Sequence, residues 1–246
     1  ATTGSLVVTL EALKEMHLTP EDIQLIQNDT KTCPDTGMAG ASRSLYMDGN
    51  ATIIAANKLL AAMRKEDGTL RTYDEMKAEG IETKYLGRYE TNTTPGLCRL
   101  DPNTGIGDPT PAFTYCLNLA EVEVDTKTGK TTVLKFTCVD FVGRIGNIDA
   151  VNGQAYSGIM HGIGFALKED YADVKKHANM FGAGTSYIKD VPDDINLIHI
   201  DGAISDGPFG SSGASEAFQA SGHCAVLNGI YNACGVRIHE IPALPE

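Results

Sequence analysis

The sequence predicts an α+β fold, and three observations support this. Residues 6–16 and 50–64 place apolar side chains at helical spacing, and residues 113–140 alternate like a β-hairpin. These segments do not follow the regular βαβ alternation of a parallel sheet, so helices should be mixed with an antiparallel sheet. With 246 residues, 42% of them hydrophobic, we expect two α+β subdomains at about 1–110 and 111–246.

The first part of the chain is expected to form helices joined by polar loops. After the helix at 6–16, Thr19 and Pro20 indicate a turn, and the apolar residues at 23–27 predict a buried strand. Residues 29–43 are polar and contain Pro and Gly, which predicts a long loop of the kind that often carries function. The helix at 50–64 is amphipathic, so one face should pack into a core.

The remaining elements alternate between helices and strands. They are a helix opened by a capping box at 72–75, strands at 113–124 and 132–140, a glycine-rich helix at 152–168, a strand at 195–201, a helix at 221–234 and a last strand at 236–241. Each glycine inside a helix costs about 1 kcal/mol. The glycines of the helix at 152–168 therefore indicate close approach of another backbone or of a ligand.

Charge and composition exclude several classes of function. The formal net charge is −12, from 20 Lys and Arg against 32 Asp and Glu, so a nucleic-acid partner is not expected. No apolar run approaches the about 20 residues of a membrane span, and no signal peptide is visible. The six cysteines include no C-x-x-C pair, which indicates reduced thiols in a cytoplasmic protein. A periplasmic location is left open, and so are disulfide bridges.

The stretch 207–216 is the most informative of the chain. It contains three glycines and three serines, and it ends at the single carboxylate of Glu216, just before a helical segment. Glycines let the backbone approach a ligand, and N–H groups near a helix start bind anions. Glu216 is then a candidate general base. The alternative is a surface turn in which Glu216 only caps the helix.

Two further segments carry candidate binding residues. The small residues of 37–45 include Ser42, Arg43 and Ser44, which suit a phosphate, although a flexible surface turn explains them equally well. Gln154 lies near the start of the glycine-rich helix, where its amide could bind the edge of a heterocycle. The alternative is a polar side chain that simply faces solvent.

The order of these pieces resembles a known family. The pieces are Gly4-Ser5-Leu6, Ala41-Ser42-Arg43-Ser44, Gly153-Gln154, Gly213-Ala214-Ser215-Glu216 and Asn232-Ala233-Cys234-Gly235-Val236-Arg237-Ile238. Together they resemble the C-terminal part of the molybdenum-binding domain of the xanthine oxidase and aldehyde oxidoreductase family, especially the bacterial aldehyde oxidoreductases of sulfate reducers. The chain starts at Ala1 without Met, so we expect a segment of a longer protein.

The resemblance implies a bound molybdenum cofactor, molybdopterin cytosine dinucleotide. By position, Glu216 matches the base beside molybdenum, and no residue is expected to ligate the metal directly. The residues that match cofactor-binding positions are Thr3, Gly4, Ser5, Ala41, Ser42, Arg43, Ser44 and Gln154. Ser5 departs from the Gln of xanthine-oxidising members. Because one cofactor needs all these pieces, we expect Gly4, Ser42, Gln154 and Glu216 to surround a common space.

The implied reaction converts an aldehyde and water into a carboxylic acid, two electrons and two protons, with Glu216 as base. The resemblance also implies a homodimer, 2Fe–2S clusters in domains absent from this chain, contacts with those domains, and flavodoxin or ferredoxin as electron acceptor. The isolated segment should then be inactive. Two alternatives stay open: a purine or xanthine hydroxylase of the same family, and an inert cofactor-binding module.

Overall fold

The computed structural model describes residues 2–27, 29–91, 100–107 and 110–245, and it confirms the predicted α+β class. The chain divides into two compact units. The first unit comprises residues 1–113, 143–147 and 202–213, and the second comprises 114–142, 148–201 and 214–246. The segments 143–147 and 202–213 thus belong to the first unit although they follow residue 113 in the chain. The two units are therefore not separated by a single boundary near residue 110.

Helices form the first unit. They are α1 (Thr2–Ala12), α2 (Ser44–Met63) and α3 (Tyr73–Ala78), with short 3-10 turns at Lys14–Met16 and Pro20–Asp22. α1 packs on α2, and Leu13, Ala56 and Leu60 form a buried cluster. The capping box predicted at α3 is confirmed, since the Thr72 hydroxyl accepts a hydrogen bond from the backbone N–H of Glu75 at 3.2 Å.

The second unit is built on a mixed sheet. Its strands are β1 (Tyr115–Val124), β2 (Thr131–Phe141) and β3 (Asp194–His199), in the order β1-β2-β3. β1 and β2 form the predicted hairpin, and its register shifts between Glu121 and Val122. β3 runs parallel to β2, whereas the sequence indicated antiparallel pairing. The long connection from β2 to β3 contains a helix, and such a crossover permits parallel strands.

Three helices complete the second unit: α4 (Ile148–Leu167), α5 (Ser215–Gln219) and α6 (Gly222–Cys234). The glycines of α4 explain how closely these helices pack. A Cβ on Gly158 would collide with Phe218 of α5, and one on Gly162 would lie 2.8 Å from the Cα of Gly222 in α6. The close backbone approach predicted for this helix is therefore confirmed.

Two predicted strands are wrong. Residues 23–27 form no strand, and Leu25 and Ile26 are 37% and 59% exposed instead of buried. Residues 236–241 are also irregular. A short apolar run becomes a strand only where a neighbouring strand pairs with it, and neither segment has such a neighbour in the described part of the chain.

Two other expectations can be compared with the structure. Cys33, Cys116, Cys138, Cys224 and Cys234 are free thiols, as expected, while Cys98 lies outside the described residues. Among the described residues, no helix combines the length and the apolar character that crossing a membrane requires.

Candidate functional site

A tight turn leads into α2 in the first unit. The backbone N–H of Arg43 donates to the carbonyl of Gly40 at 3.2 Å, and both central residues of the turn, Ala41 and Ser42, have positive φ angles of 53° and 56°. Such turns favour Gly or Asn at these positions, because a Cβ is strained in the left-handed region. Strained backbone of this kind persists where the surroundings hold it, and it is typical of functional sites.

The start of α2 follows directly from this turn. Arg43 is the N-cap residue, and no side chain caps the helix there. α2 is 20 residues long, and the first N–H groups of a helix carry partial positive charge. With the Arg43 guanidinium and the Ser44 hydroxyl beside it, this helix start has the chemistry of a phosphate site.

Arg43 also acts on a neighbouring carboxylate. Burial raises the pKa of Asp48, and the positive charge of Arg43 opposes that rise. Asp48 lies on α2, in the turn of helix that follows the Gly40–Arg43 turn. Arg43 therefore has an electrostatic partner in its own unit.

The glycine- and serine-rich stretch belongs to a loop that is held by hydrogen bonds, and it is not a simple surface turn. Over residues 202–213, the Gly210 carbonyl accepts from the backbone N–H groups of Ile204 and Arg144 at 3.1 and 3.2 Å. The Ser211 hydroxyl donates to the Pro208 carbonyl at 2.7 Å. Ser211 and Ser212 are only 7% and 5% exposed. The alternative of an exposed surface turn is thus wrong for Ser211 and Ser212.

This loop lies against the start of α2. Pro208 packs on Gly49, where a Cβ would lie 2.5 Å from the proline ring. Asn50 donates its side-chain N–H to the Asp206 carbonyl at 3.0 Å. A Cβ on Gly213 would lie 2.6 Å from both the Cβ and the carbonyl oxygen of Ser42. Gly213 therefore lies in close contact with the strained turn.

The start of α1 contributes the remaining predicted residues of the first unit. Gly4 lies where a Cβ would be 2.9 Å from a methyl carbon of Leu45, the residue after Ser44. Ser5 is partly buried, and its carbonyl accepts from the Thr9 hydroxyl at 2.8 Å. These residues and Thr3 lie within α1. The side chain of Thr3 lies outside the described part of the structure.

The second unit carries Gln154 and Glu216. Gln154 lies in the first half of α4, and its side chain is exposed. Glu216 is in the first turn of α5, and its side chain is also exposed. α4 and α5 pack together through Gly158 and Phe218. Gln154 precedes Gly158 by one helical turn, and Glu216 lies in the same short helix as Phe218.

Each unit thus gathers its own set of predicted residues. The first unit joins Gly4 and the 41–44 segment, and the second places Gln154 and Glu216 on two packed helices. That Gly4, Ser42, Gln154 and Glu216 surround one space stays a prediction. Nothing in the local sequence indicates that Gly213 touches Ser42, so the sequence alone assigns no role to Gly213.

The side chains of the described residues offer no metal-binding cluster. No group of three or more His, Cys, Asp or Glu residues that could hold a metal ion occurs in ranges 2–27, 29–91, 100–107 and 110–245. The positive helix start, Arg43 and the hydroxyls of the first unit instead suit the anionic part of a ligand.

Comparison with known proteins assigns the family. A family model described as the molybdopterin cofactor-binding domain matches residues 3–192. The chain belongs to the molybdopterin cofactor-binding domain family. The matched range includes the 41–44 segment and Gln154, while Glu216 lies beyond it.

Individual relatives confirm the resemblance seen in the sequence. This molybdopterin cofactor-binding domain is 42% identical over 236 residues to the aldehyde oxidoreductase of Megalodesulfovibrio gigas, and it covers 26% of that protein. The solved aldehyde oxidoreductase of Desulfovibrio desulfuricans matches 99% of the chain with a TM-score of 0.91 and 44% identity. A xanthine dehydrogenase of Dictyostelium discoideum is 25% identical over 196 residues, which cover 76% of this chain and 14% of that protein. The chain therefore spans about a quarter of the length of its aldehyde oxidoreductase relatives.

Proposed function

We propose that this chain supplies molybdopterin-binding residues and the catalytic base of a molybdenum hydroxylase that oxidises aldehydes to carboxylic acids. The observation that carries the proposal is the strained turn at Ala41 and Ser42, which leads into the uncapped start of α2. It coincides with one of the segments that resemble the family's cofactor-binding positions.

The residues present fit a phosphate-bearing pterin. The phosphate end is matched by the N-terminus of α2 together with Arg43 and Ser44, all in the first unit. A Cβ at position 213 would press on Ser42, so the lack of a side chain on Gly213 lets the turn keep its shape. Gln154, exposed on α4, offers both a donor and an acceptor to a heterocycle edge.

The chemistry is divided between cofactor and protein. A bound molybdenum centre supplies the two-electron oxidation. Glu216 accepts a proton at a carboxylate oxygen, which makes the attacking water oxygen a better nucleophile toward the aldehyde carbon. The balance is R-CHO plus water giving R-COOH, two electrons and two protons. In this proposal Arg43 and Gln154 bind and orient the cofactor, and only Glu216 moves a proton.

Aldehydes are the substrate class that the relatives favour. Identity to the aldehyde oxidoreductase is 42%, against 25% to the xanthine dehydrogenase. Oxidation of xanthine without oxidation of aldehydes by the full-length protein would replace our proposal with the purine-hydroxylase alternative. The cytosine dinucleotide form of the cofactor, the iron–sulfur domains, the homodimer and the electron acceptor stay predictions from the resemblance. The cytoplasmic location stays a prediction from the cysteines.

The test of this proposal is Arg43→Ala in the full-length protein. Arg43 should bind a phosphate through its planar fork, so its loss should lower the molybdenum and pterin bound per protein. Arg43→Lys should also load poorly, because an ammonium does not reproduce the fork. Both contents are measured on folded protein, by elemental analysis and by fluorescence of the oxidised pterin.

Arg88→Ala is the matched control, since Arg88 is an exposed arginine of the same unit that pairs with Glu90. It should load like the wild type. If Arg43→Ala keeps its full molybdenum and loses only turnover per molybdenum, Arg43 does not hold the cofactor. A wild-type protein that contains neither molybdenum nor pterin would contradict the proposal as a whole.

A further inference from the structure

The close contact between Gly213 and Ser42 is not explained by the family resemblance. A Cβ at position 213 would lie 2.6 Å from the Ser42 Cβ and from its carbonyl oxygen, both too close for real atoms. Ser42 is the second central residue of the Gly40–Arg43 turn and has a positive φ of 56°. The glycine therefore contacts the turn at one of its two strained residues.

Gly213 is itself held firmly. It ends the 202–213 loop, whose Gly210 carbonyl accepts two backbone N–H groups and whose Ser205 hydroxyl donates to the Ser211 carbonyl at 2.7 Å. Pro208 of the same loop packs on Gly49 of α2. Because the loop is tied to α2 at this second place, an added side chain at position 213 cannot be relieved by a free shift of the loop. Such a side chain would therefore displace Ser42.

We propose that Gly213 is a positioning residue for the phosphate-binding turn. It lets the loop press on Ser42 and hold the left-handed backbone that aims Arg43 and the start of α2 at the ligand. The inference rests on the proposed function, and it adds that the backbone shape of the turn, more than the Ser42 hydroxyl, sets cofactor affinity. Strained residues keep such a shape only when neighbours enforce it.

The experiment compares Gly213→Ala with Gly146→Ala in the full-length protein. Gly146 belongs to the same unit but to neither the turn nor the 202–213 loop, its backbone is not left-handed, and a Cβ there would lie 3.1 Å from a methyl carbon of the Val7 side chain. Gly213→Ala should lower molybdenum and pterin per folded protein at least roughly two-fold, and Gly146→Ala should load like the wild type. Equal loading of the two variants would overturn the inference.

A second pair of variants decides the matter if Gly213→Ala does not fold. Ser42→Thr keeps a hydroxyl, but a β-branched residue tolerates positive φ poorly. Ser42→Gly loses the hydroxyl and accepts the left-handed backbone freely. We expect Ser42→Gly to hold more molybdenum than Ser42→Thr. The reverse order would show that the hydroxyl matters more than the backbone, and it would overturn the inference.

Arg43→Ala, measured in the same series, separates this inference from the proposed function. Loss of molybdenum in Arg43→Ala together with full loading in Gly213→Ala would remove only the role of Gly213. Full loading in both would contradict the placement of the phosphate at this turn, and the inference with it.

Discussion

At the residue scale, Arg43 is assigned two roles, one toward the ligand and one toward a neighbouring side chain. Its guanidinium is proposed to bind phosphate, and its charge also acts on Asp48, whose pKa burial raises. A carboxyl group with a raised pKa contributes stability below its unfolded value of 3.8, and that contribution is lost as the pH rises through the folded value. Arg43 reduces this loss, because its charge favours the ionised form of Asp48.

We predict that Arg43→Ala raises the pKa of Asp48 further. Without the guanidinium, nothing on Arg43 opposes the rise that burial causes in the pKa of Asp48. The stability that is lost as the pH rises should therefore be lost over a range that reaches higher pH. Arg43→Lys should restore the pKa of Asp48, since it keeps the charge, even though we expect it not to restore cofactor content. The measurement is an NMR titration of the Asp48 carboxyl carbon. An unchanged pKa in Arg43→Ala would show that the two groups do not interact.

At the scale of elements, α4 is held on the sheet by a partly buried polar network. The His199 ring at the end of β3 pairs through Nδ1 with Asp140 Oδ2 of β2 at 2.6 Å. Its Nε2 pairs with Asn152 Oδ1 of α4 at 2.7 Å. Asp140 is 1% exposed. The network therefore fixes the first half of the helix that carries Gln154 against β2 and β3.

Removing one partner of this network should be costly. His199→Ala leaves the Asp140 carboxyl group buried without its partner, which should lower the free energy of unfolding by about 3–5 kcal/mol. The double variant His199→Ala with Asp140→Asn should recover part of that loss, because no charge stays buried. Urea unfolding of the purified protein measures both. The control is His239→Ala at an exposed histidine, which should change the free energy of unfolding little. If His199→Ala changes it as little as the control does, the network does not stabilise the fold.

The elements show which parts of the fold local sequence could predict. The hairpin, the capped α3 and the glycine-rich α4 were predicted because turn residues, caps and helical spacing are local features. The strand at 23–27 was wrong, and the sheet predicted as antiparallel is mixed because β3 runs parallel to β2. Pairing depends on which distant strand is adjacent, and local sequence does not show that. The helix predicted at 50–64 begins earlier, at Ser44, because the turn before it sets its start.

The candidate site shows the same limit. Ala41, Ser42, Arg43 and Ser44 could be singled out as small and polar residues that suit a phosphate. Their left-handed backbone could not be predicted, because Ala and Ser are not typical of that conformation. The contact of Gly213 with Ser42 joins positions far apart in the sequence, so only the structure shows it.

At the scale of the whole molecule, the chain carries two sets of candidate residues with different expected roles. The first unit contains the turn that we propose binds phosphate, and the second contains Gln154 and Glu216. The chain spans about a quarter of its aldehyde oxidoreductase relatives, so activity has to be measured on the full-length protein. There, binding and proton transfer can be separated, because they are assigned to different residues.

The most direct test is aldehyde turnover per bound molybdenum in the full-length Glu216→Gln variant. Glutamine keeps the size of the side chain but cannot act as the base, so turnover should fall at least roughly 10²-fold. Molybdenum content should stay at the wild-type level, since Arg43, Ser44 and Gln154 are proposed to hold the cofactor. Glu123→Gln, at an exposed glutamate of β1, is the control and should keep full turnover. Near wild-type turnover of Glu216→Gln with a lowered melting temperature would contradict the account and leave Glu216 as a helix cap.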